Sequence, residues 1–474
     1  MPDLTCRDLQ CDVAIIGAGT AGLAAERSAR KAGAATLLID PAFNGTTCAR
    51  VGCMPSKLLI AAGEAAHAVR EAGRFGVRVP APDIDGAAVM ARVRALRDDF
   101  VRATVEGLDD LPDGIMVKAR ARFTGLTTLA LDDGRTVAAK AVVIATGATP
   151  SIPPAYDAVR DRVLTHETVF ELADLPRSLA VVGAGPLGLE LAQAMARLGV
   201  DVTVFDEGSS VGGIKDEAVA AEMRRILGAE FAWRLDTELE ASPAENGVRL
   251  AWRGEQAGEA VFEQVLVAAG RPPALEGLDL GTAGLELDDH GTPIFDRATM
   301  RCGGSAVFVA GDADADRPVL HEASSEGAIA GRNAALHPDT SPARRTVPFA
   351  IMFTDPSVAI VGDAVAEGAI VGTSSYADQG RARMMGTNRG LARLLADPAE
   401  GRIVGATIAA PGGEHLGHLL AWAIEQGLTA TKLLDLPIYH PTYEEGLKTA
   451  LREICAGTGT EPPADRDEGN PAGG

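Results

Sequence analysis

The sequence predicts an α/β fold with two Rossmann-like halves and a separate C-terminal α+β domain. A succession of apolar run, glycine turn and alanine-rich helical stretch occurs twice. The glycines and the acid of the first copy map onto those of the second at one constant offset of 166 residues. After about Pro348 the glycine fingerprints stop, and short apolar strands alternate with helices.

The first copy begins with the apolar run Val13 to Ile16, turns through Gly17, Gly19 and Gly22, and continues as a helical stretch to about Lys31. A second apolar run, Thr36 to Ile39, ends in Asp40. Glycines at this spacing let the backbone approach a pyrophosphate, the helix N-terminus supplies unpaired N–H groups, and the acid is placed to accept from a ribose. The second copy has Leu179 to Val182, then Gly183, Gly185 and Gly188, then Asp206. Gly33 and Gly199 complete five matches at the same offset. Two dinucleotides are therefore implied. An acid at the Asp206 position favours a free ribose 2′-hydroxyl, and Glu207 to Gly213 contains no arginine or lysine for a 2′-phosphate, so the second is read as NAD rather than NADP.

Two shorter strands, Ala141 to Ala145 before Thr146-Gly147 and Val265 to Ala268 before Gly270-Arg271, read as chain returns between domains. Pro150, Pro153 and Pro154 make a linker into the second nucleotide unit. The strand Ala306 to Ala310 ends at Gly311-Asp312, an acid positioned for a polar ligand, with Asp314 and Asp316 beyond it read as solvated loop. The stretch 457–474, rich in Gly, Pro and Asp, reads as a disordered tail. The expected divisions are 1–150, 151–272, 273–346, 347–456 and 457–474.

Composition narrows the function classes. A chain of 474 residues with 46% hydrophobic and 23% charged residues is globular and of multidomain size. Its formal charge of -21 disfavours counterion-driven binding to nucleic acid. The absence of an apolar run of transmembrane length, and of an apolar core near Met1 to Cys11, gives the expectation of a cytoplasmic protein without a membrane partner. Six cysteines are too few for a disulfide scaffold, and Cys6, Cys11, Cys302 and Cys455 stand apart. No metal set is expected: His415 and His418 lack a third ligand and read as helix surface or packing. Met384 and Met385 read as core or interface.

Cys48 and Cys53 are the exception. This Cys-x4-Cys pair lies at the mouth of a helix eight residues past Asp40, where a flavin ring would lie if the first dinucleotide were FAD. Dithiol chemistry needs one thiol open to substrate and a second close to an electron source. A helix N-terminus near Cys53, with Pro55 in its first turn, favours the thiolate, and Lys57 one turn on adds positive charge. A purely structural disulfide would be rare in the cytosol.

With these motifs in order, followed by His440-Pro441-Thr442-Tyr443-Glu444-Glu445, the chain resembles the pyridine nucleotide-disulfide oxidoreductases, and most closely their dihydrolipoyl dehydrogenase branch, over about residues 10 to 455. The resemblance implies an FAD domain (1–150, completed by a central domain at 273–346), an NAD domain (151–272) and a dimerisation domain (347–456), working as a homodimer. It implies that Cys48 exchanges with a small or carrier-bound disulfide and that Cys53 faces the flavin. Lys57 would pair with Glu190 near the flavin's reactive edge. Thr47, Thr146, Gly147, Gly270, Arg271 and Gly311 would join the fingerprint residues in the dinucleotide sites, and Asp312 would hold the ribityl chain. His440 would be the acid/base for the substrate thiol, oriented by Glu445, the two reaching the other subunit's site. Imidazole held by a carboxylate suits thiol exchange near neutral pH.

The chain departs from the branch at Tyr439, Tyr443, Arg50, Thr46 and Ala274, the two tyrosines flanking the position where the disulfide is expected. Cys455 has no neighbouring cysteine, unlike the second thiol pair of mercuric reductases and large thioredoxin reductases. The expected activity is dithiol oxidation through Cys48–Cys53 and FAD to NAD. The alternatives are an NADH-dependent reductase of another low-molecular-weight disulfide, a redox-state sensor, and an NADH:acceptor reductase working at the flavin alone.

Overall fold

A computed structural model describes residues 8–254 and 257–463. The chain forms two compact units. One comprises the chain up to Pro55 with Arg92–Ser151 and Gly270–Arg345; the other comprises Ser56–Ala91, Ile152–Ala269 and the chain from Thr346 on.

The first unit is organised by a nine-stranded sheet. Strand Leu9–Ile16 lies at its centre, parallel to Thr36–Asp40 on one side and to Thr136–Ile144 on the other, with Val13 opposite both Thr36 and Ala141. Val307–Val309 continues the parallel set beyond Thr136–Ile144. The strands are apolar at successive positions because both faces are covered. Ala14, Ile16, Leu37, Ile39, Val142 and Ile144 point to the side closed by Phe123, Leu129 and Leu131 of an antiparallel hairpin. Val13, Ile15, Leu38, Val143 and Phe308 point to the opposite side, closed by helices. Each fully buried branched side chain contributes roughly 1.5–3 kcal/mol.

Those helices, Thr20–Lys31 and Leu320–Leu336, cross at backbone contact. A Cβ on Gly327 or Gly331 would lie 2.1 Å from the carbonyl oxygen of Ala21 or Ala25 respectively. Glycines one turn apart therefore set the helix spacing.

In the second unit Ser178–Val182 is flanked in parallel by Asp201–Phe205 and Gln264–Val267. A three-stranded antiparallel sheet covers one face through Val248, Leu250 and Phe262. Helix Cys53–Glu71 passes into this unit after Pro55, and its Gly63 approaches Ala194 of helix Pro186–Arg197, where an added Cβ would be 3.0 Å from the carbonyl oxygen. The remainder is a five-stranded antiparallel sheet, ordered Phe349–Met352, Ser357–Gly362, Ile403–Ala410, Leu391–Ala396 and Ile370–Ser375, packed by helices Gly413–Glu425 and Leu447–Thr458.

The two strands read as chain returns, within Thr136–Ile144 and Gln264–Val267, precede the points at which the chain leaves the first unit after Ser151 and re-enters it at Gly270. Other expectations need correction. The stretch read as a tail begins inside a helix, because Leu447–Thr458 runs on to bury its apolar face; residues 464–474 lie outside the described residues. Met384 and Met385, read as core or interface, are 59% and 41% exposed in the single chain, which excludes only the core half of that reading. Asp314 is buried rather than solvated, packed beside Glu326. No helix among the described residues is long and apolar enough to cross a membrane.

Candidate active site

In the first unit the two outer glycines of the turn are needed for packing and the middle one faces open space. Gly17 has φ +107° and an added Cβ would be 2.3 Å from the Ala145 carbonyl oxygen; one on Gly22 would be 1.8 Å from that of Gly17. A Cβ added on Gly19 would meet nothing within 4 Å, which leaves the backbone access a pyrophosphate would need. Asp40 steadies this turn: Oδ2 accepts from Ala18 N (3.0 Å), while Oδ1 accepts from Ala42 N (2.8 Å) and Phe43 N (2.9 Å).

The second unit repeats the arrangement. Gly183 (φ +112°) abuts the Ala268 carbonyl at 2.4 Å, Gly188 abuts that of Gly183 at 2.1 Å, and Gly185 is open. Asp206 accepts from Ala184 N (2.7 Å) and Gly208 N (2.8 Å). Both acids thus brace their glycine loops, a role that the expectation of a ribose contact alone did not include.

The rest of the first unit's site also fits a dinucleotide. Thr146 Oγ1, just beyond strand Thr136–Ile144, is buried without a hydrogen-bond partner. Gly147 (φ +73°) and the following residues pair with the Gly270–Ala274 segment: Ala274 N donates to the Gly147 carbonyl (2.8 Å) and Ser151 N to that of Gly270 (3.2 Å). Arg271 forms an ion pair with Asp312. Gly311 (φ +71°) donates its N–H to Glu326 Oε2 at 2.9 Å, and Glu326 is itself held by Arg345 Nη2 at 2.5 Å. Burial, together with the neighbouring Glu326 carboxylate, pushes the Asp314 carboxyl up to about 8. The sequence reading missed Asp314 and Glu326, since nothing local distinguishes a buried acid of this loop from the solvated one it was taken for.

The cysteine loop belongs to the first unit. Thr46 caps the short helix Thr47–Arg50, its Oγ1 accepting from Ala49 N at 3.3 Å. Arg50 reaches back to Asn44 Oδ1 at 2.9 Å. Gly52 turns the chain tightly against that helix, with the Thr47 carbonyl oxygen 3.0 Å and Cys48 Cα 3.2 Å from where its Cβ would be. Helix Cys53–Glu71 then starts at the second cysteine, so that Cys53 sits at a helix N-terminus. Cys53 is exposed and Cys48 partly so, whereas burial pushes the Cys11 and Cys302 thiols up to about 12, away from the thiolate.

Two constellations lie within the second unit. Lys57 Nζ pairs with Glu190 Oε2 at 2.7 Å. Glu190 Oε1 accepts from Phe353 N at 2.8 Å, and the Phe353 ring centroid is 4.5 Å from Lys57 Nζ. Phe353 escaped the sequence reading because it is 163 residues from Glu190. In the other constellation His440 Nδ1 lies 3.0 and 3.2 Å from the two carboxylate oxygens of Glu445. The residues touch because they occupy a loop and a single 3-10 turn, Glu444–Gly446, rather than a regular helix. Thr442 N donates to Glu445 Oε2 (3.1 Å), and Gln379 Nε2 donates to the Thr442 carbonyl (2.8 Å). Tyr376 OH donates to the Tyr443 carbonyl (3.2 Å), which ties this loop to the antiparallel sheet. Tyr439 is 83% exposed beside His440, while the Tyr443 hydroxyl pairs with Thr387 Oγ1 at 3.3 Å.

His418 is accounted for by packing: Nδ1 meets the Glu414 carbonyl at 2.7 Å and its ring lies edge-on to Phe349. No group of metal-ligating side chains occurs among the described residues.

Comparison with known proteins agrees with this layout. Residues 11–328 match the family described as pyridine nucleotide-disulphide oxidoreductase, and residues 348–451 match that family's dimerisation domain. A dihydrolipoyl dehydrogenase of Halobacterium salinarum is 32% identical over 459 residues, covering 93% of this chain and 95% of the relative. A mercuric reductase of Acidithiobacillus ferrooxidans is 32% identical over 458 residues, covering 93% and 82%. The crystal structure of LpdA from Mycobacterium tuberculosis superposes with a TM-score of 0.79 at 25% identity, covering 94% of this chain and 99% of that one.

Proposed function

Because this chain belongs to the pyridine nucleotide-disulphide oxidoreductases, an FAD- and NAD(P)-dependent family of flavoproteins, and carries their dimerisation domain, we propose that it acts as a homodimeric NAD(H):dithiol/disulfide oxidoreductase of the dihydrolipoyl dehydrogenase type. The observation that carries this reading is the His440–Glu445 pair: with Nδ1 taken by the carboxylate, Nε2 is the nitrogen left for a substrate thiol. A sensor, or a reductase working at the flavin alone, has no use for such a pair.

When bound, FAD supplies the two-electron exchange between nicotinamide and thiol. The glycine turns at Gly17 and Gly183, braced by Asp40 and Asp206, would hold the two pyrophosphates, and Asp206 would favour NAD. Lys57, paired with Glu190, would supply positive charge to the flavin. Toward a disulfide, the Cys48 thiolate attacks one substrate sulfur and forms a mixed disulfide, and the departing thiolate takes a proton from His440 Nε2. Cys53 then attacks Cys48, releasing the second substrate thiol and leaving the pair oxidised, so that two electrons have passed to substrate. Dithiol oxidation is the same sequence reversed, with His440 accepting the proton. Glu445 keeps the imidazole in one tautomer throughout and stabilises its cationic form.

Both dihydrolipoyl dehydrogenases and mercuric reductases stand among the relatives at similar identity. The dithiol reading is favoured because Cys455 is fully buried and has no adjacent cysteine. The test is turnover: NADH with lipoamide, or NAD with dihydrolipoamide, should cycle, with NADPH at least about tenfold poorer. Turnover of only another disulfide would support the alternative substrate; turnover of none would overturn the reading.

A further inference from the structure

Helix Pro186–Arg197 presents three polar side chains in register on one face, Glu190, Gln193 and Arg197, and each is no more than 5% exposed. Polar groups buried at this spacing need partners, and all three find them in one short segment, Phe353–Pro356. Glu190 Oε1 accepts from Phe353 N (2.8 Å). Gln193 both accepts from Asp355 N (2.7 Å) and donates to the Asp355 carbonyl (2.9 Å). Arg197 Nη2 reaches Asp355 Oδ2 at 2.8 Å, and Arg389 Nη2 reaches the same oxygen at 2.8 Å. Glu230 closes the network, accepting from Arg197 Nε (2.7 Å) and Gln193 Nε2 (2.9 Å). Thr354 Oγ1 donates to the Pro356 carbonyl at 2.9 Å, so the segment is also braced from within.

This clamp places the Phe353 ring over a single cation. Lys57 Nζ is 4.5 Å from the ring centroid and 2.7 Å from Glu190 Oε2. A carboxylate by itself fixes little more than a distance to the end of a flexible four-carbon stem. An aromatic face on a second side restricts the ammonium to one position and attracts it by about 0.5–2 kcal/mol. The same residue therefore pins both members of the pair, the carboxylate through its backbone N–H and the ammonium through its ring.

We propose that Phe353 is a positioning residue for the flavin: through Glu190 and Lys57 it fixes where the charge that faces the flavin is held. The proposal rests on the functional reading above for Lys57 facing the flavin. It predicts that the ring influences the redox equilibrium of the bound flavin, and does so only through Lys57.

The experiment uses the FAD-loaded homodimer. Phe353→Leu keeps the backbone N–H and apolar bulk but removes the aromatic face, while Phe353→Tyr keeps the face. The two-electron midpoint potential of the flavin and the pH dependence of the long-wavelength thiolate–flavin band are read for each, alone and combined with Lys57→Met. A fivefold shift of the redox equilibrium toward the oxidised flavin is expected for Phe353→Leu, about 20 mV at 29.6 mV per decade. Phe353→Tyr should match the wild type, and Phe353→Leu should add nothing to Lys57→Met. If the Leu variant does not retain FAD, Phe353→Met carries the same test. A wild-type potential in the variant lacking the ring, or an equal shift in the Lys57→Met background, overturns the proposal. Disulfide turnover of the wild type is measured in parallel. Its absence would sink the functional reading while leaving a Lys57-dependent shift intact, so the two failures are distinguishable.

Discussion

Replacing Glu445 by Gln removes a charge from behind His440 while keeping an oxygen to accept from Thr442 N. The carboxylate meets Nδ1 at 3.0 and 3.2 Å, and it is 14% exposed against 53% for the histidine. A hydrogen bond between charged partners contributes about 1.5–3 kcal/mol and a neutral one about 0.5–1.5 kcal/mol, so the change costs roughly 1–2 kcal/mol whenever the imidazole is cationic. Solvent at the half-exposed ring keeps the effect toward the lower end of that range. At about 1.4 kcal/mol per decade, disulfide turnover should fall roughly tenfold. Anaerobic stopped-flow measurement separates flavin reduction by NADH from thiol exchange, and only the second should slow. His440→Gln should lower the exchange step further, by about 10²–10⁴-fold. Equal slowing of both half-reactions, or unchanged exchange in Glu445→Gln, would refute the assignment of this pair as the thiol acid/base.

Two further predictions concern stability. Gly331→Ala puts a methyl group 2.1 Å from the Ala25 carbonyl oxygen, a backbone atom that cannot swing away. It should lower the unfolding free energy by roughly 1–3 kcal/mol and weaken FAD retention, whereas Gly304→Ala, with nothing within 4 Å, should change stability by less than about 0.5 kcal/mol; denaturant titration reads both. Asp314, pushed up to about 8 by burial beside Glu326, has an ordinary value near 3.9 when unfolded. Between those values the folded chain binds the extra proton, so this group's contribution to stability is full below about pH 4 and is lost as pH rises toward 8. Asp314→Asn should therefore gain on the wild type by roughly 3–4 kcal/mol from pH 5 to pH 8, read from unfolding midpoints across pH; a gain that is independent of pH would show that Asp314 does not hold that proton.

The parts of the fold and site that could be read in the sequence are those where chemistry is local. A glycine turn between a strand and a helix must look alike wherever a pyrophosphate is met, so Gly17–Gly22 and Gly183–Gly188 stood out, and their repeat offset made them mutually informative. Cys48 and Cys53 were visible because they share one short loop. Phe353 was not, since its meaning depends on a helix 163 residues away. A regular helix does not bring residues five apart into contact, so the pairing of His440 with Glu445 rests on the loop and 3-10 turn that bring them together. Asp314 and Glu326 form a buried acid pair, a tertiary fact without a local signature.

The central claim is that electrons pass between flavin and substrate through Cys48 and Cys53. The most direct measurement is an anaerobic titration of the purified flavoprotein with NADH, following the long-wavelength thiolate–flavin band in the wild type, Cys48→Ser and Cys53→Ser, and then adding lipoamide. The band should form on reduction of the wild type and be discharged by lipoamide with turnover. It should be present without reductant in Cys48→Ser and be missing in Cys53→Ser. A band that never forms, or full disulfide turnover in Cys53→Ser, would contradict the account.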